Sequence, residues 1–143
     1  MSNASELRTQ LRNKIAAMPL GMLLVAHDDL SAKADRDESE CLVNSMMAGE
    51  VAGHMRRMVA DHSTDSLIAD LRKYMAMDYR TMKATDRAAY WAITDQLEER
   101  FPAASLATNE WLDNMSAEHK DAAVSNAWDS YLLGLIEAER VTG

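Results

Sequence analysis

Apolar side chains in this chain return about once per helical turn and nowhere in strict alternation, which restricts it to helices packed on helices. Leu7, Leu11, Ile15 and Met18 share one face of a first helix over residues 5–18. Pro19 closes that helix, because the residue before a proline avoids helical angles. The run from Leu20 to Leu30 is the one stretch that resembles a strand, yet no other stretch matches it, and one strand makes no sheet. It reads as a short helix with Pro19 in its first turn.

The acids between residues 28 and 40 mark a solvated loop leading into a helix N-terminus, where carboxylates are favoured by the dipole. From Ser39 to Asp61, Leu42, Val43, Met46, Met47, Val51, Met55, Met58 and Val59 recur with a period near 3.6. Ser45, Gly49 and Gly53 form a ridge of small residues on the same helix, which predicts a tight helix crossing. Ser63 or Thr64 caps the next helix, whose inner face takes Leu67, Leu71, Tyr74, Met75 and Met82. Asp78 falls inside that face and is expected to pair with a cation or fill a gap in the packing. Thr85 and Asp86 read as a second cap, so the helical pattern breaks or kinks near Ala84.

The following helix is stopped by Pro102, and a shorter one covers Leu106 to Met115. Ser116 caps the last, in which Val124, Ala127, Trp128, Tyr131, Leu132, Leu135 and Ile136 form one stripe. With no hairpin turn and no repeat of 20–50 residues, the expected fold is all-α. It is an irregular bundle of five to seven helices in a single domain over residues 5–143. Residues 1–4 read as a tag remnant or a disordered start and are set aside.

Composition narrows the function. At 143 residues the chain can bury a core without staples, and 48% apolar with 27% charged residues suits a folded, soluble domain. A net charge of −8 argues against broad, phosphate-driven nucleic-acid binding. The single cysteine, Cys41, excludes an internal disulfide and a Cys-rich zinc site, and beside Glu40 it is expected to be a small, buried packing residue. Arg8, Arg12 and Lys14 before an uncharged run outline a secretory signal, but Pro19, Gly21 and the charged His27-Asp28-Asp29 break its pattern. The run is also too short to span a bilayer. A cytoplasmic protein without a membrane partner is expected.

Signatures of catalysis are few. The five glycines form no dinucleotide fingerprint or phosphate-binding loop, and no serine sits in a nucleophile elbow, so no cofactor is expected. Glu50 and His54 share a helix face at a spacing of four, with Asp61 or His62 two turns on. If a second helix supplied further ligands, that set would hold a metal. With the carboxylates of 35–40 it gives an enzyme reading: a metal- or magnesium-dependent helical hydrolase.

Binding signatures point elsewhere. Residues 35–70 carry eight acids against three bases, and 101–143 seven against two, whereas 71–100 holds six bases and five acids. On a continuous helix Lys73, Arg80, Lys83 and Arg87 would form one basic stripe, the basis for a reading as a helical DNA-binding regulator. Trp91 sits off the inward stripe of Ala89, Ile93 and Leu97, on a face with Arg87, Thr94 and Glu98. Tryptophan and arginine are the types enriched at binding hot spots. Seven of the eleven methionines lie between Met46 and Met82 and read as filling for an irregular helical core rather than as an adaptable groove.

The leading expectation is therefore a non-enzymatic interaction or regulatory protein, an inhibitor or adaptor of the sort mobile elements encode, able to form a homodimer. It would bind a protein partner with a basic surface, such as a nucleic-acid-binding protein, and not nucleic acid directly. The residues expected to make that contact are Arg87 and Trp91 with Asp35, Asp37, Glu38 and Glu40.

Overall fold

The computed structural model describes residues 3–114 and 125–142, and its regular structure there is entirely helical. Seven α-helices are described: α1 (Asn3–Ala16), α2 (Leu20–Ala32), α3 (Glu38–Ala60), α4 (Thr64–Met75), α5 (Ala84–Arg100), α6 (Pro102–Asp113) and α7 (Ser125–Thr142), with one 3-10 turn, Tyr79–Thr81. The expected cap at Ser116 and the first residue of the last stripe, Val124, lie outside the described residues. Two compact units are distinguished. One contains residues 3–61 and 79–92; the other contains 62–78 and 93–142 as far as they are described. The division falls within α5, between Ala92 and Ile93.

In the first unit α1 and α2 both pack on α3. Ile15, Leu23, Met47 and Val51 are buried at the centre, with Leu11, Met18, Val43, Met46 and Met55 around them. Full burial of each such aliphatic side chain stabilises by about 1.5–3 kcal/mol. One turn beyond Leu23, His27 is also buried, and its Nδ1–H donates to Asn44 Oδ1 at 2.7 Å. Ser31 Oγ donates to the same oxygen at 3.2 Å, so the polar end of the α2–α3 contact is satisfied. Helix α2 spends its apolar surface on a narrow line through Leu23 and leaves Met22 and Val25 exposed.

Helix starts and stops follow local chemistry. Asp37 and Glu40 form a capping box at the head of α3, with Glu40 N donating to Asp37 at 2.8 Å and Asp37 N to Glu40 at 3.3 Å. At the end of α2 the Arg36 guanidinium donates to the carbonyls of Leu30 and Ser31. Ser63 caps α4 by accepting from Ser66 N, and Pro102 takes the first turn of α6, where its missing N–H costs nothing.

In the second unit α7 packs on α6 and α4. Leu67, Ile68 and Leu71 of α4 are buried, as are Leu132, Leu133 and Ile136 of α7. Arg72 pairs with Glu137 at 3.0 Å and Arg140 with Asp65 at 2.7 Å; both pairs are exposed and add little stability. Arg100, the last residue of α5, donates to the carbonyl of His62 at 2.6 Å and to Thr64 Oγ1 at 3.2 Å.

Several expectations need correction. Ser45 and Gly49 are exposed, and a Cβ built on Gly49 meets nothing within 4 Å, so the small-residue ridge is not a tight crossing. Helix α4 ends at Met75, which leaves Asp78 exposed beyond its C-terminus rather than on an inner face. Met58 is exposed at one edge of α3. Cys41 is exposed as well, with Sγ 4.0 Å from the Arg36 carbonyl, because the first turn of α3 lies at the surface. On α7 the buried line runs through Asp129, Leu132, Leu133 and Ile136, which turns Tyr131 outward onto Trp111, their rings stacked at 4.4 Å.

No single helix among the described residues is long and apolar enough to cross a membrane. The pair α1 and α2 reaches that length and composition only together, across a bend of 118° at Pro19.

Open space at Gly49 generates a direct test. Gly49→Ala is expected to stabilise the protein by about 0.5–1 kcal/mol, since alanine restricts the unfolded chain and fits a helix better. Thermal or denaturant unfolding reads the change, and destabilisation would show that another backbone lies against this ridge.

Candidate functional site

The residue before helix α5, Lys83, has no acceptor side chain with which to cap it, and the first turn is bonded instead by a residue of another helix. Both oxygens of Asp28, on α2, accept from Thr85: one from the backbone N–H and one from Oγ1, each at 2.9 Å. A carboxylate is well matched to a helix N-terminus, where donors are unsatisfied and the dipole is positive. Thr85, expected as a cap, is instead the donor in this pairing.

One turn into α5, Arg87 folds back on the preceding turn. Its Nε and Nη2 donate to the Tyr79 carbonyl at 3.3 and 3.1 Å, and Nη2 also reaches the Arg80 carbonyl at 3.2 Å. The guanidinium carbon lies 5.0 Å from the centre of the Tyr79 ring, within cation–π range. Another turn on, Trp91 Nε1–H donates to Tyr79 Oη at 3.2 Å. Tyr90 is buried beneath, its ring 5.1 Å from Trp91 and 6.2 Å from Tyr79, both in tilted or edge geometries that aromatic pairs prefer. Trp91 nevertheless keeps 49% of its surface exposed and Tyr79 37%.

The structure thus brings Arg87 and Trp91 together, as the spacing of four implied, but through Tyr79, which sequence reasoning missed. Thr94, expected on the same face, is fully buried, and Glu98 accepts from Ser105 Oγ at 2.8 Å. Of the four acids, Asp37 and Glu40 are engaged in the capping box, and Glu40 also pairs with Lys33. Asp35 and Glu38 are exposed.

The other candidates are not assembled. No group of three or more His, Cys, Asp or Glu among the described residues is arranged to hold a metal ion. Glu50 is half-buried on α3, and His54 Nδ1 lies 3.2 Å from Arg57 Nη2, so a cation already occupies that side of the ring. His62 sits at the head of α4, its carbonyl engaged by Arg100 and its buried Nδ1 without a hydrogen-bond partner. The basic stripe from Lys73 to Arg87 required one continuous helix, whereas the chain leaves α4 at Met75 and re-enters a helix only at Ala84.

Comparison with protein-family models, curated proteins and solved structures returned no match.

Tyr79→Phe keeps the ring under Arg87 and removes only the acceptor for Trp91. It should cost about 0.5–1.5 kcal/mol at most, and less at so exposed a site, while moving the indole N–H resonance of Trp91 and leaving helix content unchanged. An unmoved resonance would mean that the Trp91–Tyr79 bond is not formed in solution.

Proposed function

We propose that this chain is a non-enzymatic interaction protein, a small acidic helical inhibitor or adaptor that docks on a protein partner with a basic surface. The observation that carries this reading is the half-exposed Trp91, held in place by Tyr79 and Tyr90 beside an arginine. A large ring that stays in water while its rotamer is already fixed loses little freedom on binding, which is the economy expected of a contact anchor. The net charge of −8 supports the choice of partner, because long-range attraction speeds encounter with a basic surface. Asp35 and Glu38, exposed at the α2–α3 corner, are free of the capping role that engages Asp37 and Glu40 and are available for that attraction.

The same surface suits a homodimer contact, since aromatic and arginine side chains serve self-association and hetero-association alike. Trp91→Ala is expected to weaken partner binding, or dimerisation if the partner is a second copy, by roughly tenfold or more, with helix content preserved. Affinity measured for the partner recovered from the native host, and sedimentation of the chain alone, check the two cases. Binding should also fall as salt rises. Unchanged affinity in both cases, or collapse of the fold on substitution, would contradict the proposal.

A further inference from the structure

We propose that the chain pairs with a second copy of itself, the outer half of α1 in each copy lying on the outer face of α2 in the other. This dimer uses neither Trp91 nor Arg87, so it goes beyond the proposed function and leaves that surface open to a different partner.

Leu7, Leu11 and Ile15 recur every four residues along α1 and therefore share one face. Ile15 is buried, Leu11 is half-buried and Leu7 is 64% exposed, so this apolar stripe runs out of the core toward the start of the helix. Arg8 and Arg12, both exposed and also four apart, border the stripe. With Lys14 and the single acid Glu6, α1 carries a net charge of +2 in a chain whose net charge is −8.

Helix α2 presents the complement. Met22, Val25 and Asp29, spaced three and four apart, lie on the side opposite buried Leu23 and His27. Met22 is 62% exposed and Val25 61%, and α2 holds two acids with no lysine or arginine. Asp28 is engaged by Thr85, whereas Asp29 is exposed. Among the described residues, no ion pair or side-chain hydrogen bond engages Arg8, Arg12 or Asp29.

One face is thus apolar and basic and the other apolar and acidic, and the exposure of Leu7, Met22 and Val25 shows that they do not meet within one molecule. At a rise of about 1.5 Å per residue, Leu7 to Arg12 extends about 8 Å and Met22 to Asp29 about 11 Å, so the two strips match in length. A two-fold dimer uses both strips of both copies and closes on itself. Burial of the apolar side chains supplies affinity, and the arginines facing Asp29 fix the register. An anionic lipid surface would attract α1 but repel Asp29 and the acidic remainder of the chain, whereas a second copy satisfies both strips.

The test is sedimentation equilibrium of the full chain across concentration and salt. A reversible monomer–dimer equilibrium that weakens as salt rises is expected. Arg8→Glu combined with Arg12→Glu, and separately Asp29→Lys, should each weaken dimerisation by about tenfold or more with helix content retained. The chain carrying all three substitutions should recover it, because the charges are then complementary again. Trp91→Ala should leave self-association unchanged, which separates failure of this dimer from failure of the Trp91 surface. The proposal is overturned if the chain is monomeric at about 1 mM, beyond the range of a weak complex. It is equally overturned if the charge reversals leave the dimer intact, if the triple variant does not recover it, or if Trp91→Ala abolishes it. Pelleting with phosphatidylserine vesicles by a chain that stays monomeric in solution would assign the α1 strip to lipid and overturn the dimer.

Discussion

Two hydrogen bonds from Thr85 to the carboxylate of Asp28 determine where α5 begins, and the surface argued to be functional depends on that start. Lys83, the residue before the helix, has no acceptor side chain with which to cap it, and the chain between Met75 and Ala84 holds only a short 3-10 turn. Once Asp28 sets the first turn, Arg87 falls over the Tyr79 carbonyl and ring, and Trp91 falls opposite the Tyr79 hydroxyl. Asp28 can reach because α2 is itself anchored by buried Leu23 and His27 on the side that packs against α3. A surface of exposed rings is thereby supported by a buried core.

The same economy appears in how the first unit uses its charges. Asp37 and Glu40 serve the head of α3, Arg36 serves the tail of α2, and Lys33 joins Glu40 across the corner. A run that reads as an acidic contact surface is in part the machinery of a helix–helix turn. The outward-facing remainder, Asp35 and Glu38, contributes to the long-range field rather than to any fixed contact.

Periodicity made the helices legible wherever one face is buried and the rest is wet. Ile15 of α1, Met47 and Val51 of α3, and Leu67 and Leu71 of α4 lie where a 3.6-residue repeat places them. It misled where burial wraps further around the helix or admits a polar group. Helix α5 buries Tyr90, Ala92, Ile93, Thr94 and Leu97, so no single stripe describes it, and α7 buries Asp129 where apolar spacing would refuse it. Met75 and Met82 keep helical spacing, which extends the α4 pattern through Met82, although the chain between them is no longer α-helical. The glycine ridge on α3 has the pattern of an approach surface, but small residues also sit on faces that meet only solvent, as at Gly49.

Within the candidate site, Arg87 and Trp91 were legible by their exclusion from the apolar stripe. The pattern Asp37-x-x-Glu40 carried a capping-box signal that identifies its acids as structural. Tyr79 and Asp28 were not legible. Tyr79 lies outside any periodic segment, and the Asp28–Thr85 pairing joins positions 57 residues apart, a tertiary fact with no local trace. Amide hydrogen exchange of the wild type against Asp28→Ala measures that dependence most directly. Protection is expected to be lost at the amides of Thr85 and Arg87, with the amide of Val51 in the α3 core unchanged. Equal protection of Thr85 and Arg87 in the two proteins would contradict this dependence.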